Sequence, residues 1–450
     1  MSADTLGLSE MDIMLVTITT VDGVEPTFDI VSTPNGKMLD NVVEAPGRMV
    51  ITLRDKVLYD SGEYEAGKSG MSIRVRGNSS AIVYDKKPYN LKLEKKSDLL
   101  QRNKEKYKSK HWLLLLDGPK VQTFLALFLS RQLDFHWTPS CTFANVVVNG
   151  DYRGLYHLIE SVKAEDGRID LDDETGFMVE HDNYYWKENF YIESIWGERQ
   201  HFTLKYPDDD ALDDADTDYI RQTLQQMQSS MDDGTYADCI DLPSFAKYLL
   251  GQDILGSSDH RGSNKYVAKY DNTADTRVFM PCMWDFNDNM SISPDEFAPV
   301  HTGTPYFFSH MLASSPALLE EYIRQWKQLK AKGFEQQIFD VIDSLDHIPN
   351  KTDIEASARL DRQRYEHLPY VSTLNRLIQR ARTWYTERLV WLDDTIHRLD
   401  VATDIDAPHI EAHRTSPLYY NLQGIAQSEP YDGLNIVVDE QGRRRKVYIR

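Results

Sequence analysis

Asp259 and Asn264 stand five positions apart in the run Asp259-His-Arg-Gly-Ser-Asn264. A free carboxylate at the first position can accept the proton of a hydroxyl nucleophile. An amide oxygen at the last can ligate a hard divalent cation. A phosphoryl-transfer catalytic loop uses this spacing. Trp284-Asp285-Phe286-Asn287 follows, and the Asp285 carboxylate is a second hard oxygen ligand. The three residues together read as a metal-and-phosphate site: Asp259 beside the hydroxyl, Asn264 and Asp285 at the metal. Taken singly, each also has a plainer reading as a turn cap.

Such a site must be positioned. The run Asp241-Leu-Pro-Ser opens a helix to about Gly256, with Asp241 as cap and an early proline. Residues 257–265 read as a loop. The segments 266–270 and 277–280 read as the strands of a hairpin that delivers Asp285. Phosphate chemistry of the kinase kind also needs a strand lysine held by a glutamate. Alternation over Tyr89-Asn-Leu-Lys-Leu-Glu places Asn90 and Lys92 on one face, opposite Tyr89, Leu91 and Leu93. Glu160, at the end of the apolar strand 154–159, is the leading partner for Lys92. Arg74 and Arg76 share a strand face and could meet phosphate. The plain alternative for each is an exposed strand charge. Gly77-Asn-Ser-Ser80 is a turn or a phosphate-sized loop, and no G-x-G-x-x-G precedes Lys92.

The rest of the chain alternates short strands with helices. Residues 12–75 read as strands, 120–134 as a helix, and Asn149-Gly150 as a hairpin turn. Residues 310–400 read as helical, the last helix carrying Leu374, Leu377, Ile378, Ala381, Trp384, Tyr385, Leu389, Leu392, Ile396 and Leu399 at helical spacing. The Asp-rich stretch 208–218 reads as a solvated loop or helix start, with calcium ligation as the alternative. The aromatic segment from Tyr184 to Tyr191 suits ordinary core packing or contact with sugar or peptide.

The chain has 450 residues, a net charge of −21 and three cysteines without a CxxC pair. The charge excludes non-specific nucleic-acid binding, which needs a basic field. Lysines and arginines nevertheless crowd residues 85–110, suiting an anionic ligand or an acidic partner. No apolar run approaches the length of a membrane-spanning helix, and the first residues do not read as a signal peptide.

Several segments, in order, resemble the CotH family of spore-coat-protein-H-like atypical kinases. They are Arg74-Val-Arg-Gly-Asn-Ser-Ser, Lys86-Lys-Pro-Tyr-Asn-Leu-Lys-Leu, His111-Trp-Leu-Leu-Leu-Leu, Val146 through Glu160, Asp259 through Asn264 with Tyr266, and Trp284-Asp-Phe. The resemblance implies an α+β, atypical protein-kinase-like two-lobed fold. It divides the chain into a β-rich segment 1–70, a kinase-like domain 71–400 (first lobe about 71–180, second about 181–400), a linker 401–417 and a β-tail 418–450. It implies ATP as co-substrate, Mg2+ or Mn2+ as cofactor, and transfer to Ser or Thr of an unknown protein. By that resemblance Asp259 would be catalytic and Asp285 and Asn264 metal ligands, while the strand placements above make Lys92, Glu160, Arg74 and Arg76 the nucleotide-binding candidates. The chain departs from the family pattern at Asn287, where an Asp is frequent, and at Lys120-Val-Gln-Thr-Phe, where an arginine is. A catalytically dead scaffold that binds partners, or a metal-dependent phosphoesterase, are the competing readings. The tail, with Leu418-Tyr-Tyr-Asn-Leu-Gln-Gly, resembles sorting tails of secreted bacterial proteins, which implies an extracytoplasmic or cell-surface location.

Overall fold

The structure is a computed structural model of the 450-residue chain. It describes residues 6–197, 200–259, 263–286, 288–297, 307–368, 370, 372–404 and, in the tail, 418–420, 426–427, 430, 433–438 and 444–449. Asn287 and most of the expected linker lie outside the described residues.

The first part of the chain is dominated by strands: β1 (Met14–Thr20), β2 (Asp29–Thr33), β3 (Gly36–Asp40), β4 (Ala45–Leu53), β5 (Lys56–Asp60), β6 (Met71–Val75), β7 (Tyr89–Ser97), β8 (Ser109–Leu115), β9 (Cys141–Val148) and β10 (Asp151–Glu160). Helices α1 (Ser79–Val83) and α2 (Gln122–Gln132) interrupt them. One sheet runs β1-β9-β10-β8-β7-β6-β4-β5, and a further β1–β4 pairing closes it into a barrel with β5 appended. The barrel forms because apolar residues recur at every second position, so each strand turns one face inward. Val16 and Ile18, Met49 and Ile51, Met71 and Ile73, Leu91 and Leu93, Trp112 and Leu114, Val146 and Val148, and Tyr156 and Leu158 fill the interior. Burying each such side chain contributes about 1.5–3 kcal/mol. The boundary expected at residue 70 falls inside this barrel, since β4 pairs with β6 through Ala45 and Ile73. Asn149 (φ 51°) and Gly150 (φ 77°) make the expected turn between β9 and β10. Two successive left-handed residues match the twist of the flanking strands.

The second part carries strands β11 (Phe177–Asp182), β12 (Tyr191–Ile192), β13 (His201–Tyr206) and β14 (Lys265–Lys269), in the sheet order β12-β13-β11-β14. Its helices are α3 (Asp214–Asp233), α4 (Leu242–Leu255), α5 (Phe307–Ser314), α6 (Ala317–Ala331), α7 (Phe334–Asp346), α8 (Lys351–Arg364) and α9 (Leu374–Asp404). The chain is thus β-rich first and helical afterwards. The α9 stripe is core as expected, with Leu374, Ile378, Ala381, Tyr385, Leu392 and Ile396 buried. This helix runs to Asp404, past the residue 401 at which a linker was expected. The Asp-rich stretch ends in a capping box, in which Asp213 accepts the Asp216 N–H at 2.8 Å, so it serves at least as a helix start. The expected hairpin before Asp285 is reduced to one antiparallel bridge, Ala268 to Phe279, while Val278 bridges in parallel to Ile240 before α4. The Met280 N–H turns instead to the Ser244 hydroxyl of α4 at 3.0 Å. In the tail, β15 (Leu418–Tyr420), β16 (Ala426–Gln427), β17 (Gly433–Val438) and β18 (Arg444–Ile449) form a sheet in the order β16-β15-β17-β18.

A buried ion pair ties α8 to the barrel. Lys86 and Asp361 are both fully buried, with Nζ 2.6 Å from Oδ2. The Lys86 ammonium also donates to the Leu116 carbonyl at 3.3 Å, and Asp361 accepts the Leu155 N–H at 3.1 Å. Gly154 makes this approach possible. Its φ is +113°, and a Cβ there would meet Asp361 Oδ1 at 2.2 Å. The Leu116 carbonyl held by Lys86 directly follows β8 and stands immediately before Asp117 of the site described next.

Candidate phosphoryl-transfer site

Two clefts lie side by side between the barrel's outer face and the second part of the chain. The first, of about 250 Å3, is lined by Asp117, Lys120, Asp259, Asp285 and Asp288. The second, of about 400 Å3, is lined by Arg74, Lys92, His111, Lys163 and Tyr266. Arg76 and Trp284 line both. One cleft is therefore acidic and its neighbour basic, with an arginine at the junction.

The acidic cleft is built from three loops. α4 ends at Gly256, whose left-handed backbone (φ 57°) turns the chain out toward Asp259. The Asp288 carboxylate holds that loop, accepting the Ser258 N–H at 2.7 Å and its hydroxyl at 2.6 Å. Asp259 keeps exposed surface, yet burial of its carboxyl group raises its pKa, the Asp288 charge adds to this, and Lys265 opposes it. Asp285 is half-buried between Trp284 and Phe286, with φ 62°. A non-glycine residue held in that region costs of order 1 kcal/mol, although Asp adopts that conformation more readily than most side chains. The third loop, after β8, brings Asp117 and Lys120, whose charged groups are 3.4 Å apart.

Asn264 also has left-handed backbone, φ 67°. It does not line the acidic cleft beside Asp285. Its N–H donates to Glu180 at 2.8 Å, and its carbonyl accepts from the Tyr248 hydroxyl at 3.1 Å. Two positions along β11, Asp182 Oδ1 accepts the Ser263 hydroxyl at 2.5 Å and the Tyr184 N–H at 2.8 Å. The carboxylates of β11 thus fix the far end of the loop that begins at Asp259.

The basic cleft contains Lys92, Arg74 and Arg76 together, as strand alternation predicts. Lys92 lies in register with Ser72 on β6 and His111 on β8, all facing out of the barrel. Burial, with Lys163, Arg168, Lys92 and Lys110 nearby, pushes the His111 imidazole down to about 4. It is therefore neutral at ordinary pH, and the cleft's positive charge comes from its arginines and lysines. The expected Lys92–Glu160 pair does not form, and the pleat explains why. Glu160 stands in register with Trp112, which in turn faces Leu91, and both point into the barrel. Lys92, one residue on, points out. Glu160 instead pairs with Arg102 at 2.8 Å and accepts the Ser140 N–H at 2.8 Å.

Sequence reasoning missed Asp288, Asp117, Glu180 and Asp182. Asp288 follows Asp285 by three residues and was within reach of the motif. Glu180 and Asp182 come from strand β11 and Asp117 from the loop after β8, all distant in sequence from Asp259. Lys120 sits in the segment noted for lacking arginine, and it supplies a cation there.

Hard carboxylate oxygens are the donor set that magnesium or manganese takes. Among the described residues no three His, Cys, Asp or Glu side chains form a closed metal cage. Mg2+ ordinarily uses one or two carboxylates and completes its shell with phosphate and water. The open arrangement around Asp285 fits that habit.

No curated protein matches this chain. The profile of the family described as CotH kinase protein matches residues 73–392, more than half of the 450. That span includes the acidic cleft and all of the basic cleft's lining but Glu44 and Ser72, and the chain belongs to the CotH kinase protein family.

Proposed function

We propose that this protein transfers the γ-phosphoryl group of ATP to a serine or threonine hydroxyl of a protein substrate, on a kinase-like two-lobed arrangement of barrel and helical part. The observation that carries the reading is the pairing of clefts. Asp259 and Asp285 line an acidic cleft that adjoins a cation-lined one through Arg76 and Trp284. Arg74, Arg76 and Lys92 would hold the phosphates, and Lys120 the transferred group. Asp259 accepts the acceptor proton while the hydroxyl oxygen forms its bond to the γ-phosphorus. The bond from that phosphorus to the bridging oxygen breaks, and ADP leaves with the electron pair. Asp285 would hold Mg2+ or Mn2+, and the ion, when bound, offsets charge on the phosphate oxygens. The raised pKa of Asp259 supports its role as proton acceptor, since a base tuned toward neutral pH transfers protons best. We place its action outside the bacterial cytoplasm, on the strength of the tail's resemblance to sorting tails. The test is transfer of labelled γ-phosphate to a protein acceptor. Asp259→Asn should lower the rate by about 100-fold or more. Transfer that Asp259→Asn leaves intact would refute the assignment.

A further inference from the structure

The aromatic segment after β11 divides into two parts with different surroundings. Tyr185 packs at 4.2 Å, ring to ring, on His201 and at 4.9 Å on Tyr191. That is ordinary packing on its own sheet. Tyr184, Trp186 and Lys187 form a second group. All three are half-buried, and the Lys187 ammonium lies 4.5 Å from the Tyr184 ring centre and 5.2 Å from that of Trp186. The same ammonium donates to the Asn78 side-chain carbonyl on the barrel side. Asn78 directly precedes Ser79 and Ser80, which line the acidic cleft with Asp259. The turn is also fastened to the catalytic loop, because Asp182 Oδ1 holds both the Tyr184 N–H and the Ser263 hydroxyl. Burial, followed by the charges of Asp259 and Asp182, pushes the Tyr184 phenol up.

A cation on an aromatic platform beside the cleft has a defined complement. Its present partner Asn78 is neutral, and a carboxylate in its place would add the attraction of opposite charges to the hydrogen bond. The aromatic faces would keep their cation–π contacts and add flat surface for a peptide backbone. On a chain of net charge −21, a local cation is also what would let an acidic segment approach here.

We propose that the Tyr184–Lys187 turn docks an acidic polypeptide acceptor, with Lys187 selecting a carboxylate next to the acceptor hydroxyl. This rests on the phosphotransfer reading of the adjoining cleft. Peptide binding, however, can be measured without transfer. Full-length protein is titrated into three fluorescein-labelled serine peptides, flanked by Glu, Gln or Lys, and followed by anisotropy without nucleotide. The Glu peptide should bind roughly tenfold more tightly than the Gln peptide. Lys187→Met should abolish that preference. Lys187→Glu should transfer it to the Lys peptide, a gain that misfolding cannot produce. Equal binding of the Glu and Gln peptides, or an acid preference that survives Lys187→Glu, would overturn the proposal. If the preference holds but no phosphate is ever transferred, the phosphotransfer reading fails and the docking surface stands.

Discussion

Asn264 donates its main-chain N–H to the Glu180 carboxylate at 2.8 Å, so a strand of the second sheet sets the end of the loop that starts at Asp259. Glu180 also pairs with Lys205 at 3.1 Å. Glu180→Gln keeps the shape, weakens the acceptor for Asn264 and removes the carboxylate paired with Lys205, leaving it the charges of Asp182 and Glu188. We expect a loss of about 1–3 kcal/mol in denaturant unfolding, together with a lower transfer rate. Unchanged stability and unchanged rate would show that the contact does not position the loop.

The Lys86–Asp361 pair should be costly to break from one side. Asp361→Ala leaves a fully buried ammonium uncompensated and removes the acceptor for Leu155. A loss of about 3–5 kcal/mol is expected. Replacing both partners together, Lys86→Met with Asp361→Leu, should cost less than Asp361→Ala alone. Equilibrium unfolding of the single and double variants checks the ordering.

The pH dependence of transfer should follow Asp259. Its pKa is raised, first by burial and then by Asp288. A base must be deprotonated to act, so the rate should rise with pH along a limb lying above the ordinary aspartate range. Asp288→Asn removes a negative neighbour, which makes proton loss from Asp259 easier and moves the limb to lower pH. A pH–rate profile in which this variant shifts the limb upward would contradict the assigned geometry.

Arg76 lines both clefts, while Lys92 lines only the basic one and is exposed. Arg76→Met should weaken nucleotide binding about tenfold. Lys92→Met should weaken it by roughly threefold, as befits a solvent-screened charge. Equal effects would place the phosphates deeper in the basic cleft than proposed.

That Asp259 and Asp285 line one cleft was readable because each lies on a short local motif, whereas Asn264 does not line it. The shared face of Arg74, Arg76 and Lys92 was readable too, since strand parity is a property of neighbouring residues. What was not readable depends on which strands meet. Glu160 was assigned to Lys92 by charge alone, and the register of β10 on β8 turns it the other way. Glu180 and Asp182 reach Asn264 and Ser263 only because β11 pairs with β14. The separation of residues 1–70 from the rest failed for the same reason. Nothing local in β1 or β4 says that they close a barrel with strands from far along the chain.

Binding of a metal-bound nucleotide across the paired clefts, next to Asp259, is tested most directly by isothermal titration calorimetry of the full chain with a non-hydrolysable ATP analogue and MnCl2. The account predicts metal-dependent binding at one site, weakened about tenfold or more by Asp285→Ala. Absence of any nucleotide binding with metal present, or binding that Asp285→Ala leaves unchanged, would contradict it.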